Sequence, residues 1–375
     1  MKILILNWQD IKNPLGGGAE VHMHEIFKRV VAMGHSVTLY CSRFPGSAHA
    51  EEIDGLHVIR EGGRYLFNFY VPWRYQSRFR KGGFDVIVDD INKIPFYTPL
   101  FVDQPLAGIV HHLFGKAIYL EAPFIPASYV YLAEKFAARV YRNTPTAVVS
   151  ESTRQELVEL GFPAGNMVIV PNAVNTKIYA PSEEGGQGSA LIGHVGRLKK
   201  YKSVDHLLRA FQIILKDIPD ARLRIIGDGD IRPDLERLAQ ELGVSPRVEF
   251  TGYLSQAEKV RQLNQMSVAV NCSAKEGWGL TVIEANACGV PVVASDVPGL
   301  RDSVIDEKTG LLYEFGNIEQ LAQKIMLVLR DENLRNRMRV DALEWGRSFS
   351  WEESAKKMIS FLEMVIERRN VRSVP

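Results

Sequence analysis

The stretch Glu276-Gly-Trp-Gly-Leu-Thr-Val-Ile-Glu284 sets two carboxylates eight residues apart, with a Gly-aromatic-Gly turn and the start of an apolar segment between them. Leu280, Val282, Ile283 and Ala287 carry a helical periodicity, so a helix is expected to begin near Leu280, with Glu276 in the loop before it and Glu284 about one turn inside it. The backbone N–H groups of Gly279, Leu280 and Thr281 would then lack intrahelical acceptors. A helix start with glycines that admit close approach is an anion site, and phosphate is its usual occupant. Carboxylates on both sides of a phosphate cannot grip it, because like charges repel. They are placed to accept hydrogen bonds from hydroxyls that flank it, as in a nucleotide sugar, with ribose on one side and a hexose on the other. Taken alone, two acids at this spacing are more often a solvated loop residue and a surface helix residue; the motifs elsewhere shift that balance.

A chain of 375 residues exceeds what one hydrophobic core organises, so two domains are the default. Its hydrophobic content of 46% and charged content of 24% are ordinary for a globular protein. Lys+Arg 45 against Asp+Glu 44 leaves +1, so no global field would attract nucleic acid. Cys41, Cys272 and Cys288 are far apart and form no C-x-x-C, which points to a reducing compartment and away from a thiolate zinc site. The apolar run Ile3-Leu4-Ile5-Leu6 is too short for a signal peptide. No run approaches the roughly 18 apolar residues of a membrane span. A cytoplasmic location is expected.

Along the chain, Met1 to Leu6 reads as a buried strand, followed by Gly16-Gly17-Gly18, a helix with Met23, Ile26, Phe27 and Val30 on one face, and a strand from Val37 to Cys41. Strand patterns at Val86 to Val88, Ala107 to Val110, Ala147 to Val149 and Val168 to Val170 continue this βαβ opening into a parallel sheet flanked by helices. The polar tract Ser182-Glu183-Glu184-Gly185-Gly186-Gln187-Gly188-Ser189 offers little to a core and is read as the interdomain linker. The pattern restarts with a strand over Ala190 to Val195 and a helix marked by Val204, Leu207, Leu208, Phe211 and Leu215. Strands at Leu223 to Ile226, Val248 to Phe250, Val268 to Val270 and Val290 to Ala294 follow. The fold class expected is therefore α/β, with two Rossmann-like domains facing a cleft, and every motif lies just after a strand, where such sheets bind ligands.

Glu276-Gly-Trp-Gly-Leu resembles the motif of the retaining glycosyltransferases of the GT-B fold, specifically glycosyltransferase family 4, and the resemblance runs in order along nearly the whole chain. It implies an N-terminal Rossmann-like acceptor-side domain over residues 1–172, a nucleotide-sugar-binding domain over 173–350, and a last segment, 351–375, whose helix crosses back to the first domain. It implies that Arg197 and Lys202, in Gly196-Arg-Leu-Lys-Lys-Tyr-Lys202, clamp the donor diphosphate, where cations favour a leaving group that gains charge. Glu276 would accept from hexose hydroxyls and Glu284 from the ribose. Gly277, Trp278, Gly279, Leu280 and Thr281 would line the donor between them. Gly16, Gly17 and Gly18, in a G-G-x-E-like loop, would border the donor from the first domain; without the resemblance, three glycines opening a helix still let the backbone approach a phosphate or a sugar, the alternative being a flexible surface loop. A histidine at a strand end contacts the donor sugar in the resembled enzymes, and matching His-small-Leu patterns favours His111 over His112. Gly227, in a turn that shapes the nucleotide site, and Tyr253 and Leu254, which frame the base, complete the donor set.

Asp228-Gly-Asp230 looks like a metal-chelating D-x-D but sits where the family has a Gly-acid-Gly turn, so no metal is expected. Two departures from the family stand out: Ser203 where Gly usually follows the lysine, and Asn172-Ala-Val-Asn175 where Asn-Gly-Val-Asp is common. Residues 60–81 hold six basic residues (Arg60, Arg64, Arg74, Arg78, Arg80 and Lys81) against Glu61, with seven aromatics interleaved. They read either as aromatics in the core with solvated arginines or as a peripheral contact with a membrane or a lipid-linked acceptor. The function expected is transfer of a hexose, with retention and without metal, from a UDP- or GDP-sugar to a glycan or lipid-linked acceptor. No cofactor is expected beyond that co-substrate. A rival reading is a non-catalytic GT-B subunit that binds nucleotide sugar and scaffolds a partner glycosyltransferase.

Overall fold

The computed structural model describes residues 1–92, 94–182 and 190–372. The expected linker thus lies outside the described residues from 183 to 189. The chain clusters into two compact units, one of Met1–Ile118, Pro123–Asn172 and Trp351–Pro375, the other of Tyr119–Ala122 and Ala173–Ser350.

The first unit is built on eight strands: β1 (Lys2–Leu6), β2 (Ser36–Ser42), β3 (Ala50–Ile53), β4 (Leu56–Glu61), β5 (Val86–Asp90), β6 (Leu106–Val110), β7 (Thr146–Val148) and β8 (Met167–Ile169). They lie in the order β3-β4-β2-β1-β5-β6-β7-β8. All pairs are parallel except β3 with β4. Ile3, Leu4, Ile5 and Leu6 of β1 are fully buried, as a central parallel strand covered on both faces demands. The antiparallel β3–β4 pair escaped the sequence reading although its cue is present: Asp54 and Gly55 both take positive φ, 49° and 82°, the backbone of a two-residue hairpin turn.

The second unit carries β9 (Leu191–Val195), β10 (Arg222–Ile226), β11 (Val248–Gly252), β12 (Val268–Asn271), β13 (Val292–Ser295) and β14 (Gly310–Tyr313), in the order β11-β10-β9-β12-β13-β14 and parallel throughout. The helices in chain order are α1 (Gly18–Ala32), α2 (Phe67–Arg74), α3 (Ile118–Glu121), α4 (Phe124–Val140), α5 (Glu151–Glu159), α6 (Val204–Asp217), α7 (Arg232–Glu241), α8 (Gln256–Asn264), α9 (Leu280–Ala287), α10 (Leu300–Ser303), α11 (Ile318–Arg330), α12 (Glu332–Arg347) and α13 (Trp351–Arg372). Helix α6 buries Val204, Leu207, Leu208, Phe211 and Ile214 on one face, with Leu215 only half-buried. Helix α13 packs along α1 in the first unit, tied by Arg29 to Glu352 at 2.9 Å and by the Ser354 hydroxyl donating to Pro171 O at 2.8 Å. Among the described residues no helix is long and apolar enough to cross a membrane.

Residues 60–81 divide between the two readings given above. Arg60 is fully buried on β4, paired with Asp10 at 2.6 Å and with Glu51, so it belongs to the interior and not to a basic surface. Arg74 pairs with Glu61, and Tyr75 and Phe79 are buried. Around Pro72 the chain is an α-helix through Arg74 that widens to a π-helix over Tyr75–Phe79. Tyr65, Leu66, Phe69 and Trp73 remain outside.

Helix α12 approaches α9 closely enough that a Cβ on Gly346 would lie 2.6 Å from Ala287 N. Backbone cannot yield as a side chain would, so Gly346→Ala should destabilise the protein by about 1–3 kcal/mol. Urea unfolding measures this, and an unchanged midpoint would refute the close packing.

Candidate active site

Each sheet reverses its strand order once, between β1 and β5 in the first unit and between β9 and β12 in the second. Crossovers leave to opposite sides at such a point, and the carboxyl ends of the two strands border a crevice. The Gly16 to Gly18 loop, the Arg197 loop and the Glu276 loop fall at these two places, with His111 after β6 and Gly227, Tyr253 and Leu254 after β10 and β11.

In the second unit, β9 runs into Gly196-Arg197-Leu198 and β12 into the loop that carries Glu276. Lys202 Nζ donates to Glu276 Oε1, and both side chains are only 14% exposed. Burial pulls the Lys202 ammonium down, but the Glu276 carboxylate outweighs it and holds the pKa above the ordinary lysine value, against the opposing charge of Arg197. Glu276 Oε1 also lies 2.9 Å from the Ser273 hydroxyl, and Ser273 O accepts from Ser295 Oγ at 2.6 Å, so the acid is fixed from behind. Gly279 caps α9 with φ 82° and ψ 57°, and a Cβ there would lie 2.8 Å from Leu300 Cδ2. The first intrahelical bond runs from Val282 N to Gly279 O, which leaves the preceding N–H groups of Leu280 and Thr281 at the helix start. Gly299 supports the loop from the other side, since a Cβ on it would meet Glu276 O at 2.3 Å.

Glu284, one turn into α9, accepts from the Tyr179 hydroxyl at 2.7 Å and from Lys259 Nζ at 2.8 Å. Burial and the Glu284 charge push the Tyr179 phenol far above its ordinary value, which keeps it a donor. Neither Tyr179 nor Lys259 was singled out from sequence, because each reaches Glu284 only through the fold. The loops after β9 and β10 are laced together: Leu198 N donates to Asp228 O at 2.9 Å, and a Cβ on Gly227 would fall 1.9 Å from Gly196 O. Asp230 turns to Lys199 at 2.9 Å and Asp228 to Arg232 at 3.6 Å. Tyr253 is 89% exposed and Leu254 half-buried beyond β11. Trp278 points inward, edge-on to Phe349 at 5.1 Å. Arg197 is exposed at the mouth of its loop.

In the first unit, Gly16 to Gly18 lead into α1. Gly17 N donates to Glu20 Oε2 at 2.6 Å, so the acid of the loop motif shapes the loop itself. A Cβ on Gly18 would meet open space, whereas one on Gly16 would press on Asn13 O at 3.0 Å. His111 follows β6, and its Nε2 lies 3.1 Å from Asp90 Oδ1 at the end of β5. The His22 ring stands edge-on to it at 4.9 Å. Burial lowers the His111 pKa, but Asp90 outweighs burial and raises it. His22, which donates through Nε2 to Val170 O at 3.0 Å, is held neutral by burial and by the charge of His111, with a pKa down to about 3. His112 sits half-buried against the Phe114 ring at 4.9 Å. Asp90 was overlooked in sequence, though Val86-Ile87-Val88-Asp89-Asp90, an apolar strand ending in two acids, was the available cue.

Two family models match, one for glycosyl transferases group 1 over residues 178–345 and one for glycosyltransferase family 4 over residues 16–178. The chain belongs to glycosyltransferase family 4. D-inositol 3-phosphate glycosyltransferase of Corynebacterium glutamicum is 29% identical over 246 residues, 60% of this chain and 59% of that protein. The chain thus spans about six-tenths of the length of that curated relative. An uncharacterized glycosyltransferase of Methanocaldococcus jannaschii is 29% identical over 392 residues, 98% of this chain and 99% of that protein. Among solved structures, sucrose-phosphate synthase of Thermosynechococcus elongatus superposes with a TM-score of 0.83 at 21% identity, over 98% of this chain and 99% of that one. Anabaena HepE in complex with UDP-glucose gives 0.76 at 18% identity, over 97% and 100%. At these identities the likeness is one of fold, that of the GT-B glycosyltransferases.

The two departures from family 4 have local explanations. Ser203 takes φ 49° and ψ 42°, the left-handed conformation that glycine adopts freely and that costs another residue roughly 1–2 kcal/mol. Ala173 is buried with negative φ, so no glycine is needed there, and Asn175 Oδ1 accepts from Lys177 N at 3.1 Å as an aspartate would.

The Asp90–His111 pair has a pH consequence. A histidine whose folded pKa is raised contributes stability that is complete below its unfolded value of about 6.5 and lost as pH rises through the folded value. Asp90→Asn should therefore lower the His111 pKa, because burial is then opposed only by the charge of Glu20. NMR titration of the imidazole reads this directly, and an unchanged pKa would remove Asp90 from its role.

Proposed function

We propose that the protein transfers a hexose from a nucleotide diphosphate sugar to a glycan or lipid-linked acceptor, with retention at the anomeric carbon and without a metal. The observation that carries this reading is the meeting, at the order reversal of the second sheet, of a glycine-capped helix start with two cations and the acid Glu276. The family models and the glycosyltransferases among the relatives support it. HepE, a fold neighbour, is described in complex with UDP-glucose, which supports a donor of that class.

On this reading the β-phosphate rests on the N–H groups at the start of α9, and Arg197 and Lys202 balance the charge that develops on it. Glu276 accepts from hexose hydroxyls and Glu284 from the ribose. The bond from the anomeric carbon to the diphosphate oxygen breaks as the acceptor oxygen bonds to that carbon on the same face. The acceptor proton passes to the departing phosphate, so no side-chain nucleophile is needed. Lys202 leaves Glu276 for the diphosphate when the donor enters, and Glu276 turns to the sugar. Intact Arg197, Lys202, Glu276 and Glu284 favour this over a scaffold without catalysis.

Glu276→Gln removes a charge-assisted hydrogen bond to the sugar while releasing Lys202 toward phosphate. Transfer should fall by the equivalent of about 1.5–3 kcal/mol, while UDP or GDP binding by calorimetry stays equal or tightens. Transfer at the parent rate would exclude Glu276 from the sugar site. Excess EDTA should leave the transfer rate unchanged, and Arg197→Ala should cost roughly 2 kcal/mol or more in transition-state stabilisation. Abolition by EDTA with rescue by Mn²⁺ would overturn the cationic clamp.

A further inference from the structure

Helix α4 is built inside out. Its buried face consists of Ala127, Ala133, Ala137 and Ala138 together with Glu134, whose carboxylate accepts from Phe114 N at 2.8 Å and Gly115 N at 2.9 Å. Its bulky apolar residues face outward: Ile125 is 81% exposed, Tyr129 55%, Leu132 62% and Phe136 50%. Their spacing of four, three and four residues aligns them in one stripe. A helix of a globular protein ordinarily turns such a stripe to the core. The charge beside it has one sign. Lys135 and Arg139 are exposed on α4 and Arg142 just beyond it, whereas the one acid of the helix, Glu134, is buried.

Helix α2 likewise turns large apolar side chains outward, although its Arg74 is paired with Glu61. Leu66, at its start, is 59% exposed, Phe69 67% and Trp73 57%, with the Arg74 guanidinium 4.3 Å above the Trp73 ring. The two helices flank one loop: the Phe67 ring of α2 lies 5.6 Å from Phe96, and the Phe136 ring of α4 lies 5.6 Å from the adjacent Tyr97. Helix α2 follows β4, Phe96 and Tyr97 follow β5, and α4 follows β6. All three therefore leave the carboxyl edge of the parallel sheet, the edge that bears His111.

We propose that α4, with α2 beside it, docks on an anionic lipid bilayer. Phospholipid headgroups would neutralise the cations while the aliphatic and aromatic side chains enter the interfacial layer. A second copy of the chain fits less well, because a two-fold contact would set Lys135, Arg139 and Arg142 against their own counterparts. Docking at this edge presents His111 to an acceptor held in the membrane surface; that last consequence rests on the glycosyltransferase reading, whereas the docking does not.

The test sediments the full chain with vesicles of equal parts phosphatidylcholine and phosphatidylglycerol, and with phosphatidylcholine alone. The parent should sediment with the anionic vesicles, and salt should release it. The triple variant Ile125→Ser, Leu132→Ser, Phe136→Ser alters exposed side chains and should lose about tenfold or more in partition while its circular dichroism and its hydrolysis of UDP- or GDP-sugar stay at parent levels. Lys135→Glu with Arg139→Glu should weaken anionic binding alone. Failure of the parent to bind, equal binding to both vesicles, or parent-like binding by the triple variant would overturn the proposal. So would a lipid-free parent dimer that the triple variant splits. If the parent hydrolyses no nucleotide sugar but the vesicle results hold, the docking stands and the transferase reading falls.

Discussion

A parallel strand buried on both faces must send its chain around the sheet by a helix before the next strand can pair, and this constraint organises both units. Each sheet grows outward from a central strand in two directions, so the crossovers part company once, at β1/β5 and at β9/β12. Loops leaving the carboxyl ends there are free of the layers on either side. They carry the Gly16 to Gly18 loop, the Arg197 loop and Glu276, with Asp90 beside them at the end of β5. The chemistry gathers where backbone packing leaves it room.

What those loops hold is charge that is buried but compensated. Lys202 against Glu276 and Lys259 against Glu284 are each neutral as pairs, Asp90 against His111 is so while the imidazole is protonated, and each pair is short of water. Breaking such a pair by removing one partner leaves an uncompensated ion in a poor solvent, which is costly. A ligand with complementary charge and hydroxyls can take over one member of the pair without that cost. The same reasoning separates Arg60, locked between Asp10 and Glu51 in the interior, from the exposed arginines near α2 that share its sequence neighbourhood.

Much of the second half-site was legible before the fold was known. Helix α9 starts at Leu280, as the apolar periodicity required, because Gly279 in a left-handed conformation admits no continuation upstream. The pairing of Glu276 with Lys202 was not legible, since 74 residues separate them and each was assigned a different part of the ligand. Trp278 packs edge-on to Phe349, a contact that periodicity cannot foresee. The hairpin of β3 and β4 carries a local cue in Asp54-Gly55, whereas the contacts of Lys259 and Tyr179 with Glu284 carry none.

Local patterns determined the alternation of strand and helix, the two successive α/β units, the helix starts at glycine and the family's motif residues, because each depends on neighbours within about one turn or one strand. Only the tertiary structure decided which charges meet and which face of a helix is outward. Arg60 and Arg64 are alike in sequence, yet one is buried in an ion pair and the other is exposed. Helix α4 hides alanines and shows its large residues, the reverse of what its composition suggests. Burial and pairing are properties of residues far apart along the chain, and the free energy of an ion or an apolar side chain depends on what surrounds it more than on what it is.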